Sequence, residues 1–148
     1  MKKKLCVVIA DYYVDITDLL LKGASEKILE AESKGIIKKV HSEWDVGMYN
    51  HVPGVFEIPA IISKLINKYD AFVTLGCVIK GETPHFDLIS KATVNSIMDL
   101  SVKNKKPIGN GIITCLNMKQ ALERADPNKK NVGGKAVSAA LQSLMYFK

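Results

Sequence analysis

The sequence predicts an α/β domain in which four strands form a parallel sheet with helices on both faces. Three observations carry this. Short apolar runs rich in β-branched residues alternate with longer stretches of helical period. The runs lack the in–out alternation of a sheet with one wet face, as strands covered on both sides do. The length, 148 residues, suits one domain spanning the chain, with enough buried surface for a core.

The elements follow in order. Leu5–Ala10 (LCVVIA) reads as a buried strand. A helix over 16–33 comes next, with Leu20, Ala24, Ile28 and Ala31 at helical spacing, Asp15 or Thr17 as its cap and Gly35 as its stop. A second strand is expected over 38–44 and a loop over 45–53. The following helix, over 57–67, puts Ile58, Ile61, Ile62, Leu65 and Ile66 on one side. Ala71–Ile79 is a third buried strand. A helix over 86–102 carries Ile89, Ala92, Thr93, Ile97 and Leu100 on its face. The strand over 107–115 is entered through Pro107, which cannot donate to a ladder. Asn117 caps a short helix to Ala125, residues 126–132 are a polar break, and a last helix runs over 133–146. Strands alternating with helices imply βαβ units with right-handed crossovers. Ligands on such sheets bind at the carboxyl ends of the strands. The segments that matter are therefore 11–15, 45–57, 79–86 and Leu116.

Composition excludes several classes. The net charge is +6, but the lysines are scattered and no basic face with interleaved aromatics stands out. A solvated lysine surface fits better than a nucleic-acid stripe. Three cysteines, Cys6, Cys77 and Cys115, without CxxC spacing argue against a disulfide framework or a zinc site. Cys6 and Cys115 read as small hydrophobes in strands. No segment resembles a secretory leader or a bilayer span, so a cytoplasmic protein without membrane contact is expected. There is no phosphate-binding P-loop and no GxSxG elbow. Gly109-Asn110-Gly111 falls within a strand, so it is not a dinucleotide turn. No pair of histidines has metal-ligand spacing, and no metal is expected.

The segment 76–87, GCVIKGETPHFD, is the first candidate for chemistry. Gly81 permits a positive φ or close backbone approach. Glu82 and Thr83 precede a helix expected to start at Phe86, where free N–H groups and the helix dipole favour an anion. Thr83 adds a hydroxyl and Lys80 a charge. His85 stands beside this site, and imidazole is the natural proton shuttle near neutral pH. A cap or packing role for His85 is the plainer alternative.

The segment 52–59, VPGVFEIP, is the second. Two prolines and a glycine hold an unusual backbone that suits recognition of a flat polar ring. Phe56 reads as core, and Glu57 as a first-turn carboxylate. Tyr12 lies just past the first strand, placed to stack on a ligand or to pack. Arg124 ends the short helix, and guanidinium is the preferred fork for phosphate. His41 and His51 show no partner in the sequence and are taken as structural.

Four stretches together, VPGVFEIP (52–59), GCVIKGETPHFD (76–87), PIGNGIIT (107–114) and QALERA (120–125), resemble the 6,7-dimethyl-8-ribityllumazine synthase family in order and spacing. The resemblance implies a three-layer αβα, flavodoxin-like fold with a four-stranded parallel sheet. It implies condensation of 5-amino-6-(D-ribitylamino)uracil with 3,4-dihydroxy-2-butanone 4-phosphate, without metal or organic cofactor. The product is 6,7-dimethyl-8-ribityllumazine, the penultimate compound of riboflavin biosynthesis, and phosphate and water are lost. By the same resemblance His85 is the general acid/base, and Glu82, Thr83 and Arg124 hold the phosphate. Val55, Phe56, Glu57, Cys77, Val78 and Ile79 hold the ribitylaminouracil, with Tyr12 stacked on its ring. Asn110 matches a position that reaches into a neighbouring subunit's site.

Two stretches depart from the family pattern. Asp11-Tyr12-Tyr13 stands where many members have Arg-Phe-Asn, and Asn131-Val132-Gly133 where many have Asn-Lys-Gly. Lys135 is the candidate to supply the missing charge. The resemblance also implies a homo-oligomer, a pentamer with sites between subunits. The early first strand and the glycine-free link before the last helix favour a free pentamer over a sixty-chain shell. A non-catalytic flavin- or pterin-binding protein, or a structural assembly protein, is the alternative on the same fold.

Overall fold

A computed structural model of the chain describes residues 2–38 and 48–147. The elements are β1 (Leu5–Ala10), α1 (Val14–Ser33), β2 (Tyr49–Val52), a 3-10 turn (Val55–Glu57), α2 (Ile58–Leu65), β3 (Ala71–Ile79), α3 (His85–Asn104), β4 (Ile108–Cys115), α4 (Met118–Ala125) and α5 (Val132–Leu144). The sheet has the order β2-β1-β3-β4, and its three pairings are all parallel. The expected α/β architecture of three layers is therefore present.

Period-two geometry explains why β1 reads as an unbroken apolar run. Leu5, Val7 and Ile9 enter the core shared with α1, α4 and α5, while Cys6, Val8 and Ala10 enter the core shared with α2 and α3. All six residues are buried. β1 and β3 are neighbours although β2 lies between them in sequence. The winding thus reverses between β1 and β3, and such a reversal opens a crevice at the carboxyl ends of the strands.

Helix ends follow local chemistry, with one correction. α1 stops as expected at Gly35, whose φ is +72°. The Gly35 N–H donates to the Glu32 carbonyl at 3.0 Å and the Ile36 N–H to the Ala31 carbonyl at 3.0 Å, a Schellman closure. Asn117 caps α4, its side chain accepting from the Gln120 N–H at 2.9 Å. At the start of α1, however, neither Asp15 nor Thr17 is the cap. Tyr13 occupies that position and supplies no side-chain cap. Thr17 instead donates its Oγ1 hydrogen to the Ala10 carbonyl at 2.8 Å, tying the helix to the end of β1.

The loop expected over 45–53 also needs correction. The expectation over 38–44 falls, after Lys38, on residues outside those described, as does His41. The described strand, β2, lies within the expected loop, and His51 sits in it. Only Val52 of its four residues is buried, so no apolar run announces it. β2 exists because the outer edge of β1 needs partners for its backbone groups. Val7–Ala10 pair with Tyr49–Val52, and the Asp11 N–H extends the ladder to the Val52 carbonyl at 2.9 Å.

α3 is less covered than its pattern suggested. Thr93 and Ile97 are its buried residues, while Ala92 is exposed. A helix docked along the line of 93 and 97 turns Ala92, about 100° round the axis, away from the sheet. α5 is seated closely on β4. A Cβ at Gly109 would overlap the Ala136 carbonyl oxygen, so this glycine allows the close approach of helix and strand.

Candidate active site at the carboxyl edge of the sheet

A cavity of about 490 Å³ opens at the β1/β3 reversal. Its walls come from four segments. Tyr12 and Tyr13 belong to the β1–α1 turn, and Gly54, Val55, Phe56 and Glu57 follow β2. Cys77, Val78 and Ile79 end β3, and His85 and Ile89 belong to the first two turns of α3. Each segment leaves the carboxyl end of a strand or begins the helix that follows one, as the winding rule requires.

Local sequence explains how the walls are held. The β1–α1 turn is pinned on one side by the Asp11 N–H bond to Val52 and on the other by the Thr17 bond to Ala10. Tyr12 is left 74% exposed on that pinned turn. The turn after β2 docks through Val55, which is buried against Gly76; a Cβ on Gly76 would overlap Val55 Cγ1. Phe56, between buried Val55 and buried Ile58, faces outward at 64% exposure. It is therefore wall, not core. Glu57 closes the 3-10 turn, its N–H donating to the Gly54 carbonyl at 3.2 Å.

His85 is the first residue of α3, one position before the expected start at Phe86, with Pro84 at the cap. Its N–H donates to Thr83 Oγ1 at 3.4 Å. This bond joins the cavity wall to the proposed phosphate segment. Glu82, Thr83 and Lys80 lie on the approach to α3 but outside the cavity wall. Gly81 does not take a positive φ, and open space surrounds the position of its Cβ. Neither a left-handed turn nor close packing within the chain explains it, contrary to expectation.

The remaining candidates do not line the cavity. Arg124 is half-buried in the last turn of α4, donating from Nη1 to the Gln120 carbonyl at 3.3 Å. It lies close enough to Cys115 to offset part of the rise that burial imposes on that thiol. Cys115 in turn neighbours Cys77, whose thiol burial pushes up to about 12. Arg124 does not line the cavity. Asn110 is an exposed residue of β4, its Oδ1 accepting from Thr74 Oγ1 at 3.2 Å and from the Ile112 N–H at 3.0 Å. Lys135 is exposed near the start of α5. Neither lines the cavity of its own chain.

Sequence reasoning missed Tyr13, Gly54 and Ile89 in the wall. Ile89 was marked as a helix-face residue, and its position one turn after His85 is the signal that places it beside the cavity. It also missed an exposed pair. His51 Nδ1 lies 2.9 Å from Asp11 Oδ2 and 3.1 Å from Oδ1, joining β2 to the start of the β1–α1 turn. Exposed pairs of this kind are worth about 0–1 kcal/mol, so it adds to the pinning of the turn without dominating it. Among the described residues, no group of three or more His, Cys, Asp and Glu is placed to hold a metal ion. Nor is any described helix long and apolar enough to cross a membrane.

The sequence model of the 6,7-dimethyl-8-ribityllumazine synthase family matches residues 2–148. The chain belongs to this family. Similar proteins include the 6,7-dimethyl-8-ribityllumazine synthase of Methylorubrum extorquens (strain PA1), 43% identical over 148 residues that span 95% of this chain and 79% of that one. The synthase of Bartonella tribocorum is 43% identical over 146 residues, covering 95% of this chain and 89% of its own. That of Agrobacterium fabrum is 40% identical over 147 residues, covering 95% and 91%. The lumazine synthase family match runs from before β1 through α5, so every wall of the cavity falls within it.

Proposed function

We propose that this chain, as a single domain, condenses 5-amino-6-(D-ribitylamino)uracil with 3,4-dihydroxy-2-butanone 4-phosphate. The product is 6,7-dimethyl-8-ribityllumazine, with loss of phosphate and water. One observation supports the assignment of the site: His85 shares a single cavity with Tyr12, Phe56, Glu57 and Ile79 at the sheet reversal. Flat aromatic and aliphatic walls suit the pyrimidine ring, and an imidazole at the rim suits proton transfer.

In this reading Tyr12 and Phe56 flank the ring, and Val55, Glu57, Cys77, Val78 and Ile79 hold it partly through backbone groups. His85 moves protons as the 5-amino group adds to the ketone and loses water to give an imine, as that imine eliminates phosphate, and as the ribitylamino nitrogen closes the second ring with loss of a further water. Thr83, Glu82 and Arg124 hold the phosphate, with Lys80 adding charge. The substrates are already reactive, so positioning together with proton transfer is sufficient chemistry. No metal or organic cofactor is required.

The chain works as a free homopentamer in the cytoplasm. Asn110 and Lys135, which do not line the cavity of their own chain, complete the site of a neighbour. Sizing in solution tests the assembly: five chains support it, and a sixty-chain particle contradicts it. The activity is tested by mixing the two substrates and following lumazine absorbance with phosphate release. Product and phosphate appearing together, well above the uncatalysed rate, support the proposal. Ligand binding without turnover favours a non-catalytic flavin- or pterin-binding protein, and assembly without either favours a structural one.

A further inference from the structure

Tyr13 sits where a helix would be expected to carry a capping side chain, and it does not cap. It is the residue before α1, with φ −104° and ψ 85°, and makes no side-chain cap bond. Serine, threonine, aspartate and asparagine are favoured there because their oxygens accept a free N–H of the first turn. A local rule broken at a site wall points to another role for the residue.

The contacts of its ring supply that role. The Tyr13 and Tyr12 rings meet edge to face, with centroids 5.0 Å apart and planes at 79°. The two residues differ in how they are held. Tyr13 packs against the core formed by β1, β3, α1, α4 and α5, whereas Tyr12 is the exposed partner. Both line the cavity. The backbone around Tyr13 is fixed as well, since its carbonyl accepts the Thr17 N–H at 2.9 Å. Burial, then the neighbouring Tyr12 and Cys77, raise the Tyr13 phenol above its ordinary range.

We infer that Tyr13 is a positioning residue that sets the plane of the Tyr12 ring for stacking on the pyrimidine substrate. The inference rests on the reading above, in which Tyr12 stacks on that ring. An exposed tyrosine on a turn otherwise samples several rotamers and loses that freedom on binding. An edge-to-face neighbour anchored in the core removes those alternatives before the ligand arrives. Edge-to-face pairs carry enough energy for an effect of about 3- to 10-fold on affinity.

The test measures binding of 6,7-dimethyl-8-ribityllumazine to the purified protein by ligand fluorescence, together with KM for each substrate. Four variants are compared: Tyr13→Phe, Tyr13→Ser, Tyr12→Ala, and Tyr12→Ala with Tyr13→Ser. Serine removes the ring while offering a helix cap, and urea unfolding of each variant reports any loss of fold. Tyr13→Phe should bind like the parent, because the ring and not the hydroxyl makes the contact. Tyr13→Ser should weaken lumazine binding and raise KM for the pyrimidine by about 3- to 10-fold, leaving KM for the phosphate substrate unchanged. In the Tyr12→Ala background, Tyr13→Ser should cause no further loss. The inference is overturned if Tyr13→Ser has no effect, if it costs as much without Tyr12 as with it, or if Tyr13→Phe is equally damaged. If Tyr12→Ala itself binds lumazine like the parent, the stacking reading fails, and this inference fails with it.

Discussion

The His85 N–H donates to Thr83 Oγ1 at 3.4 Å, so the first residue of α3 is tied to the hydroxyl two positions before it. This short link couples the imidazole wall of the cavity to the segment assigned to phosphate. It predicts separable effects. Replacing His85 with alanine removes proton transfer but leaves the walls and the anion site, so turnover should fall roughly 10²–10⁴-fold without vanishing. Steady-state lumazine formation measures this. A loss of only a few-fold would deny His85 a part in proton transfer.

Arg124 lies near Cys115, in the last turn of α4, and does not line the cavity. In the proposed reading its guanidinium holds the phosphate and not the pyrimidine, since guanidinium is the preferred fork for phosphate. Arg124→Ala should therefore raise KM for 3,4-dihydroxy-2-butanone 4-phosphate by about 10-fold or more, as expected for loss of a charge-assisted bond. KM for the pyrimidine should stay within about twofold of the parent value, well under 1 kcal/mol. Equal weakening of both substrates contradicts the assignment.

The seating of α5 on β4 predicts a stability effect remote from the chemistry. Gly109→Ala places a methyl group against the Ala136 carbonyl, backbone that cannot swing aside. Helix and strand must separate, at a cost of about 1–3 kcal/mol. Urea unfolding of parent and variant reads this out. A change below about 0.5 kcal/mol, the range of ordinary surface substitutions, would mean that the helix moves freely.

Buried thiols predict how stability responds to alkali. Burial pushes Cys6 and Cys77 from an ordinary value of 9.0 up to about 12. The folded chain therefore keeps protons that the unfolded chain releases. That contribution to stability is fully present below pH 9 and is lost as pH rises through about 12. Urea midpoints should hold steady from pH 7 to 8.5 and decline from pH 9 upward. Cys6→Ala should flatten that decline, whatever its effect at neutral pH. An equal slope in parent and variant would show that Cys6 does not contribute.

How much of this was legible in the sequence depends on what each residue touches. β1 and β3 were readable because their residues are covered from both sides, which forces an apolar run. Gly35 and Asn117 were readable because helix ends impose local chemistry on single positions. β2 was not, because an edge strand with one buried residue is held by its backbone pairing with β1. His85 was legible as a candidate because it follows the carboxyl end of β3, whereas Phe56 reads as core by residue type and was marked for the site only by the family resemblance. Tyr13 was hidden: its part in the wall depends on a ring contact and on core packing, neither of which spacing encodes. That Arg124, Asn110 and Lys135 do not line the cavity was hidden for the same reason, since tertiary placement is not written in sequence order.

The central claim is that the cavity beside His85 is where the pyrimidine reacts. Its most direct test is a crystal structure of the protein soaked with 5-amino-6-(D-ribitylamino)uracil alone. The pyrimidine ring should lie between Tyr12 and Phe56, its 5-amino group turned toward the His85 end of the cavity. A ring bound elsewhere, with this cavity empty, would contradict it.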